Sequence, residues 1–249
     1  MMPQQRTILT LAVIALAAIP IVGNAQSGGR GFLFSEPRAS LTLRTGWAGA
    51  SAHSDLFAFT TEQLTLNRGD FNSLSLGADL TVRVRSRTSV VLSLDVARTS
   101  KKSEFRDFYD NNRLPIEQTT LFERVPVTLG IKQYLMPMGR SVGKFAWIPS
   151  RVAPFVGAGA GLMHYRFHQT GDWIDFQTMD VFSSQFLSGG WARTAHVLAG
   201  LDYSLGARFA LTGEARYLWS SASLSSEFSG FQPLDLSGLA MNAGLTVRF

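Results

Sequence analysis

Eight charged side chains in this 249-residue sequence stand at even spacings inside stretches of alternating apolar and polar residues. Asp79 and Arg83 lie in SLSLGADLTVRV, Asp95 in VVLSLDV and Lys132 in VPVTLGIKQYL. Asp202 lies in AHVLAGLDYSL, Glu214 and Arg216 in FALTGEARYLW, and Arg248 in the terminal NAGLTVRF. Four acids and four bases of one parity suit one of two tasks: a polar path for ions and small solutes, or a plug of mutual ion pairs. An unpaired charge in a low-dielectric interior is costly, which favours pairing and so favours the plug. The histidines offer less. His164 and His168 share a strand face four residues apart, about 13 Å at strand rise, too far to ligate one metal without a bend. His53 and His196 lie elsewhere, and no metal or other cofactor is expected. Acyl transfer or hydrolysis would need a nucleophile beside a base, for example His164 or His168 with Ser183, Ser184 or Ser188. No spacing singles out such a pair. The GAGAG run, Gly157 to Gly161, lacks the spacing of a dinucleotide loop and follows Pro154 in a strand, so it reads as close packing of small residues.

The elements that must position these groups are strands, because side chains of a strand alternate between two faces. One face carries Leu74, Leu76, Ala78, Leu80, Val82 and Val84, then Val90 to Val96, Val125 to Leu135, Ala195 to Leu205, Phe209 to Trp219 and Leu239 to Phe249 at every second position. Within these six segments that face holds no charge, and Gln133 is its one conventionally polar member. The opposite face holds the charged set together with Arg124. Two weaker segments, SLTLRTGWA and PFVGAGAGLMHY, complete the pattern with Leu41, Leu43, Thr45, Trp47 and Val156, Ala158, Ala160, Leu162. Eight strands of roughly 10–14 residues follow, about the length that crosses a membrane with tilt. Links are short on one side (RSRT at 85–88, Gly206 and Ala207), with a longer MPMGRSVGKFAWIPSR between the fourth and fifth strands. On the other side they run to about twenty residues each, the asymmetry of a transmembrane barrel: Gly49–Asn72, Arg98–Thr119, His168–Gly190 and Ser220–Ser237. The segment SDLFAFTTEQL fits either a short helix started at Ser54 or an extended strand. The expected fold is all-β, an antiparallel up-and-down transmembrane β-barrel of eight strands.

A soluble barrel with an apolar interior has the same period, so the inside must be told from the outside. Charged residues are 16% of the chain, against roughly 25% in ordinary soluble domains. The strands carry one lysine, Lys132, where a water-facing surface would carry many. Glycines 77, 130, 157, 159, 161, 200 and 244 share the polar parity, as a narrow lumen requires, and Trp47, Tyr203, Phe209, Trp219 and Phe249 sit near strand ends on the apolar parity, as interfacial girdles do. The apolar face therefore meets lipid. Residues 1–25 pair an early cation, Arg6, with an apolar run from Ile8 to Val22 and small residues Gly23 and Ala25, the pattern of a cleaved signal peptide. The expected division is a signal peptide at 1–25, a short periplasmic segment at 26–38 and a barrel at 39–249. No cysteine is present, which excludes disulfides and thiolate metal sites. The net charge of +5 comes from scattered arginines rather than one stripe, so no nucleic-acid partner is expected.

The closing stretch, with polar Asn242, Gly244, then Val247 and a final Phe249, resembles the terminal strand of OmpA-like outer-membrane β-barrel proteins, the small eight-stranded type of diderm bacteria. PFVGAGAG and LTGEARY resemble recurrent strands of that family. The resemblance covers Ala39 to Phe249 and includes no peptidoglycan-binding domain, so it does not imply wall anchoring. It implies an outer-membrane location among lipid and lipopolysaccharide, a monomer, and recognition of Asn242, Gly244, Val247 and Phe249 by the barrel assembly machinery. Lys101, Lys102, Arg106 and Arg113 in KKSEFRDFYDNNR are candidates to meet lipopolysaccharide phosphates. The expected role is structural or interaction-based, in membrane integrity, adhesion or loop-mediated binding. A narrow OmpW-like channel for small or hydrophobic solutes is the second reading and a lipid A-modifying enzyme the third; enzyme activity is not expected.

Overall fold

Period-two patterning produces strands throughout. A computed structural model describes residues 31–110, 113–143 and 146–249; the expected signal peptide, 1–25, lies outside the described residues. The wall is built from β1 (Ala39–Ala48), β2 (Ser73–Arg83), β3 (Thr88–Tyr109), β4 (Pro115–Tyr134), β7 (Val152–Ile174), β8 (Val181–Ser204), β9 (Phe209–Ala222) and β11 (Gly238–Arg248). Each pairs antiparallel with its neighbour, and β1 pairs with β11 to close the ring. A barrel closed in this way leaves no sheet edge along its spanning part. The small hairpin of β5 (Gly139–Val142) and β6 (Ala146–Pro149) lies in the long link between β4 and β7. A two-residue β10 (Leu234–Asp235) continues the β11 ladder along β9.

The faces fall as the alternation requires. Leu74 is 78% exposed and Leu129 59%, with Leu76, Ile131, Val197, Leu211 and Leu245 also outward, while Thr81, Thr128, Ser93 and Thr246 are buried. An exposed apolar belt over a buried polar interior inverts the distribution of a soluble protein and is that of a membrane-spanning barrel. Trp47, Trp191 and Trp219 sit toward the long-link end of the belt; Tyr203, Phe209 and Phe249 sit toward the short-turn end.

Two of the four expected long loops are instead strand. β3 and β4 run 22 and 20 residues and β7 and β8 run 23 and 24, well past the expected 10–14. Arg98–Thr119 and His168–Gly190 are therefore largely the tops of two hairpins that turn near 110–114 and 175–180. Above the belt many outward residues are charged (Arg98, Lys102, Glu104, Arg106), and apolar Phe105, Ile116, Phe122 and Phe167 appear on the inner face among buried Ser103, Gln118, Thr120 and Gln169, so the clean alternation of the belt is lost. The result is a four-stranded wall standing above the lower rim made by β1, β2, β9 and β11.

The other two links fill the hollow behind that wall. Asp55–Gln63 is a helix, α1, which decides between the two conformations open for SDLFAFTTEQL. Ser54 stands at its N-cap position without a side-chain cap bond. Phe57, fully buried, packs edge-on against Phe71, Phe122 and Phe167. With Leu56, Phe105, Tyr165, Phe228, Leu234 and Leu236 it forms an apolar plug at the long-link end. The free edges of the tall wall are fastened by the same links: Thr65 N–H donates to the Glu104 carbonyl on β3 at 2.8 Å, and Ser225 Oγ donates to the Leu187 carbonyl on β8 at 2.7 Å. At the short-turn end a second apolar cluster gathers Tyr134, Met138, Trp147, Ala153, Phe155 and Leu198, with Leu33 bridging to Trp147.

Candidate functional site

Between the two apolar clusters lies the charged layer, and its centre is Arg44. On β1 the inward positions are Thr42, Arg44 and Gly46. The register places a glycine on each side of Arg44, Gly77 on β2 and Gly244 on β11. A Cβ on Gly77 would come within 2.8 Å of Arg44 Nε, and one on Gly244 within 2.9 Å of Arg44 Cβ, so both glycines leave room for the guanidinium to lie across the lumen. Arg44 Nη1 donates to Asp79 Oδ2 at 2.9 Å and to Glu214 Oε1 at 2.8 Å, and Nη2 donates to both Asp95 oxygens at 2.8 Å. Arg216 adds bonds to Glu214 Oε1 (Nε, 3.0 Å) and Asp95 Oδ2 (Nη1, 3.3 Å), with Asp79 Oδ1 at 3.8 Å. Lys132 places its ammonium 3.9 Å from Glu214 Oε2 and 4.0 Å from the centre of the Phe155 ring. Three acids meet three cations drawn from β1, β2, β3, β4 and β9. Asp79 is 1% exposed and Arg44 5%, so the pairs act at low dielectric, where geometry decides whether they offset their desolvation.

Arg44 is absent from the set of eight charges read from the sequence, and three members of that set lie outside this layer. Arg83 pairs with half-exposed Glu36. Asp202 accepts from Tyr134 Oη at 2.8 Å and Thr212 Oγ1 at 2.7 Å. Arg248 donates to Ser204 Oγ at 2.9 Å and lies 6.0 Å over Trp147. These three stand one or two inward positions closer to the short turns than the layer at Asp79, Glu214 and Gly244, so strand register separates them. Arg124 lies on the other side of the layer, buried, with Nη1 donating to the carbonyls of Leu236 and Ser237 at 3.2 and 3.3 Å. Small cavities flank the layer, one of ≈ 50 Å³ beside Arg124 and Arg216 and one of ≈ 20 Å³ beside Arg83, Asp202 and Arg248. Each has room for isolated waters at most.

The other candidates disperse. His164 faces outward against Trp191, ring centres 5.3 Å apart, and His168 faces outward with Thr170 Oγ1 at 3.0 Å. Ser188 is buried on the inner face, 3.1 Å from Tyr165 Oη, and Ser183 donates to Asp172. The serines and histidines weighed as an acyl-transfer pair are not brought together. His53 lies 3.8 Å from Asp235 and His196 is buried in the lumen; among the described residues no three metal-ligating side chains cluster. The loop cations have separate neighbours. Lys101 turns to Asp70 at 3.5 Å and Arg106 Nη2 donates to the Leu66 carbonyl at 3.1 Å, both fastening the β1–β2 link. Lys102 is exposed, and Arg113 sits in the turn with φ 63°. In the terminal pattern Asn242 points inward and accepts from Ser75 Oγ at 2.7 Å, Gly244 faces Arg44, and Val247 is half-buried. Phe249 projects outward while its backbone bonds to Ala39 and Arg38.

The architecture is that of a small eight-stranded up-and-down barrel with an apolar outer belt, and solved outer-membrane barrels share it at low sequence identity. OprG of Pseudomonas aeruginosa matches 87% of this chain and 99% of its own at 15% identity, with a TM-score of 0.49. Neisserial surface protein A matches 85% and 97% at 13% identity and 0.46, and the attachment invasion locus protein Ail of Yersinia pestis 86% and 100% at 13% and 0.42. No protein-family model matches the chain, and no curated protein does.

Proposed function

We propose that this protein is a bacterial outer-membrane barrel that acts through its surface, in membrane integrity, adhesion or loop-mediated binding, and not as a conduit. The observation that carries the reading is the three-part filling of the lumen: the Phe57 plug, the Arg44 ion-pair layer and the Trp147 cluster in series. A filled interior leaves the tall β3–β4–β7–β8 wall and the exposed face of the links as the surfaces open to a partner. In this reading residues 1–25 direct export and are cleaved, the chain inserts as a monomer, and the barrel assembly machinery reads Asn242, Gly244, Val247 and Phe249. Residues 31–38 lie on the periplasmic side, where Leu33 and Glu36 fasten to Trp147 and Arg83.

The test is a deletion strain compared with its complemented parent. The protein should fractionate with the outer membrane and shift mobility on gels after boiling. Loss of the gene should lower detergent resistance or cell adhesion and leave small-solute uptake unchanged. A defect confined to solute uptake would favour the channel reading instead.

A further inference from the structure

Above the belt the wall has a notch. The β8–β9 ladder ends at Thr194 and Ser220, while β8 continues to Val181 paired with β7 alone. Between that last rung and the Ser225–Leu187 fastening, an open groove of ≈ 620 Å³ is lined by Arg193, Ala195, Trp219, Ser221, Gln232 and Asp235, among others. Arg193 projects outward between Trp191 and Ala195, opposite Leu162, at the upper margin of the apolar belt. Its guanidinium has no ion pair or side-chain hydrogen bond among the described residues. The one acid in the groove, Asp235, is already engaged with the backbone N–H groups of His53 and Ser237.

We infer that this groove is a binding site for the phosphorylated headgroup of a membrane lipid. The inference rests on the membrane-spanning reading and is independent of whether the protein acts in adhesion or integrity. An unpaired guanidinium at the margin between belt and water offers a forked donor set that matches phosphate oxygens. The Ser221 hydroxyl and the Gln232 amide supply neutral donors beside it, and the indole of Trp219 marks the headgroup level. Below, the outward residues Ala195, Val197 and Ala199 of β8 and Tyr217 and Ala215 of β9 form an uncharged track for an acyl chain. Arg98 has the same outward parity on β3 but is paired with Glu123 at 3.6 Å, so it makes a matched control.

The experiment titrates purified, folded protein in neutral detergent with lipid A, with enzymatically dephosphorylated lipid A, and with inorganic phosphate, following complexes by native mass spectrometry. Wild type should retain lipid A, and Arg193→Gln should weaken that binding about tenfold, the loss of one charge-assisted pair. Arg98→Gln should leave it unchanged. Dephosphorylated lipid should bind wild type no better than lipid A binds the Arg193 variant. Equal binding by wild type and Arg193→Gln, each verified as folded by its heat-shifted gel mobility, would overturn the inference. So would inorganic phosphate competing as strongly as the lipid, which would mark a simple anion site.

Discussion

Arg44 shows how one residue can organise the interior. It contacts three carboxylates from three other strands, and nothing else in the layer reaches all three as closely. Arg44→Met would leave Asp79, Asp95 and Glu214 facing only Arg216 and Lys132. We expect it to destabilise the refolded barrel by about 3–5 kcal/mol in urea titration, the range for a buried charge cluster that loses one partner. Arg83→Ala breaks a pair whose acid, Glu36, is half exposed, and should cost under about 1 kcal/mol. Equal losses would mean that the layer is not the electrostatic centre described. The glycines beside Arg44 make a steric point: Gly244→Val should lower stability in the same titration, because its side chain would press on the Leu43 carbonyl as well as on Arg44. Five of the six charges of the layer (Asp79, Asp95, Lys132, Glu214 and Arg216) could be read from strand parity, together with Arg83, Asp202 and Arg248, which lie outside it. Which charges meet could not, because that depends on register across five strands. Arg44 was hidden in a weak segment, SLTLRTGWA, whose outward face includes Thr45; the signal available was its inward parity with Thr42 and Gly46.

At the scale of elements, the belt is a depth-dependent surface. Leu129 lies midway along the apolar face of β4, Val125 to Leu135, opposite Leu92 and Ala160, and Leu135 lies just past the end of β4. Leu129→Arg should cost about 2–4 kcal/mol and Leu135→Arg about 0–1, the profile of a bilayer midplane and its margin. Equal costs would argue against a lipid-facing belt. The α1 plug is a separate element with a separate prediction. Phe57→Ala removes a fully buried ring against three others, a change of about 3–5 kcal/mol in a packed core. Because the spanning ladder is independent of it, we expect the loss to appear as protease cutting within residues 49–72 while the barrel still migrates as folded. The spanning strands were legible because six of them alternate cleanly. The tall hairpins were not, since above the belt charged residues enter the outward face and rings such as Phe105, Phe122 and Phe167 lie on the inner parity among buried polar residues, which erases the clean alternation. The nine-residue α1 was equally hard to read, with Leu56, Phe57 and Thr60 its buried positions. The terminal strand carries a proposal about assembly: deleting Phe249 should slow insertion in cells and leave refolding into detergent intact, because the exposed ring adds little while the β1 and β9 pairings remain. Normal insertion in cells would remove the recognition role.

For the whole molecule, the three layers of the lumen and the lipid-facing belt support the proposal of a barrel that spans a membrane without opening a path through it. Apolar clusters lie on both sides of the ion-pair layer, and the charges of that layer pair with one another. The flanking cavities, ≈ 50 and ≈ 20 Å³, lie on opposite sides of that layer. The most direct test is planar-bilayer recording of the purified, folded protein in symmetrical salt. We expect a current indistinguishable from that of lipid alone at moderate voltage, with insertion verified independently by protease protection. Discrete, reproducible conductance steps from the wild-type protein would contradict it.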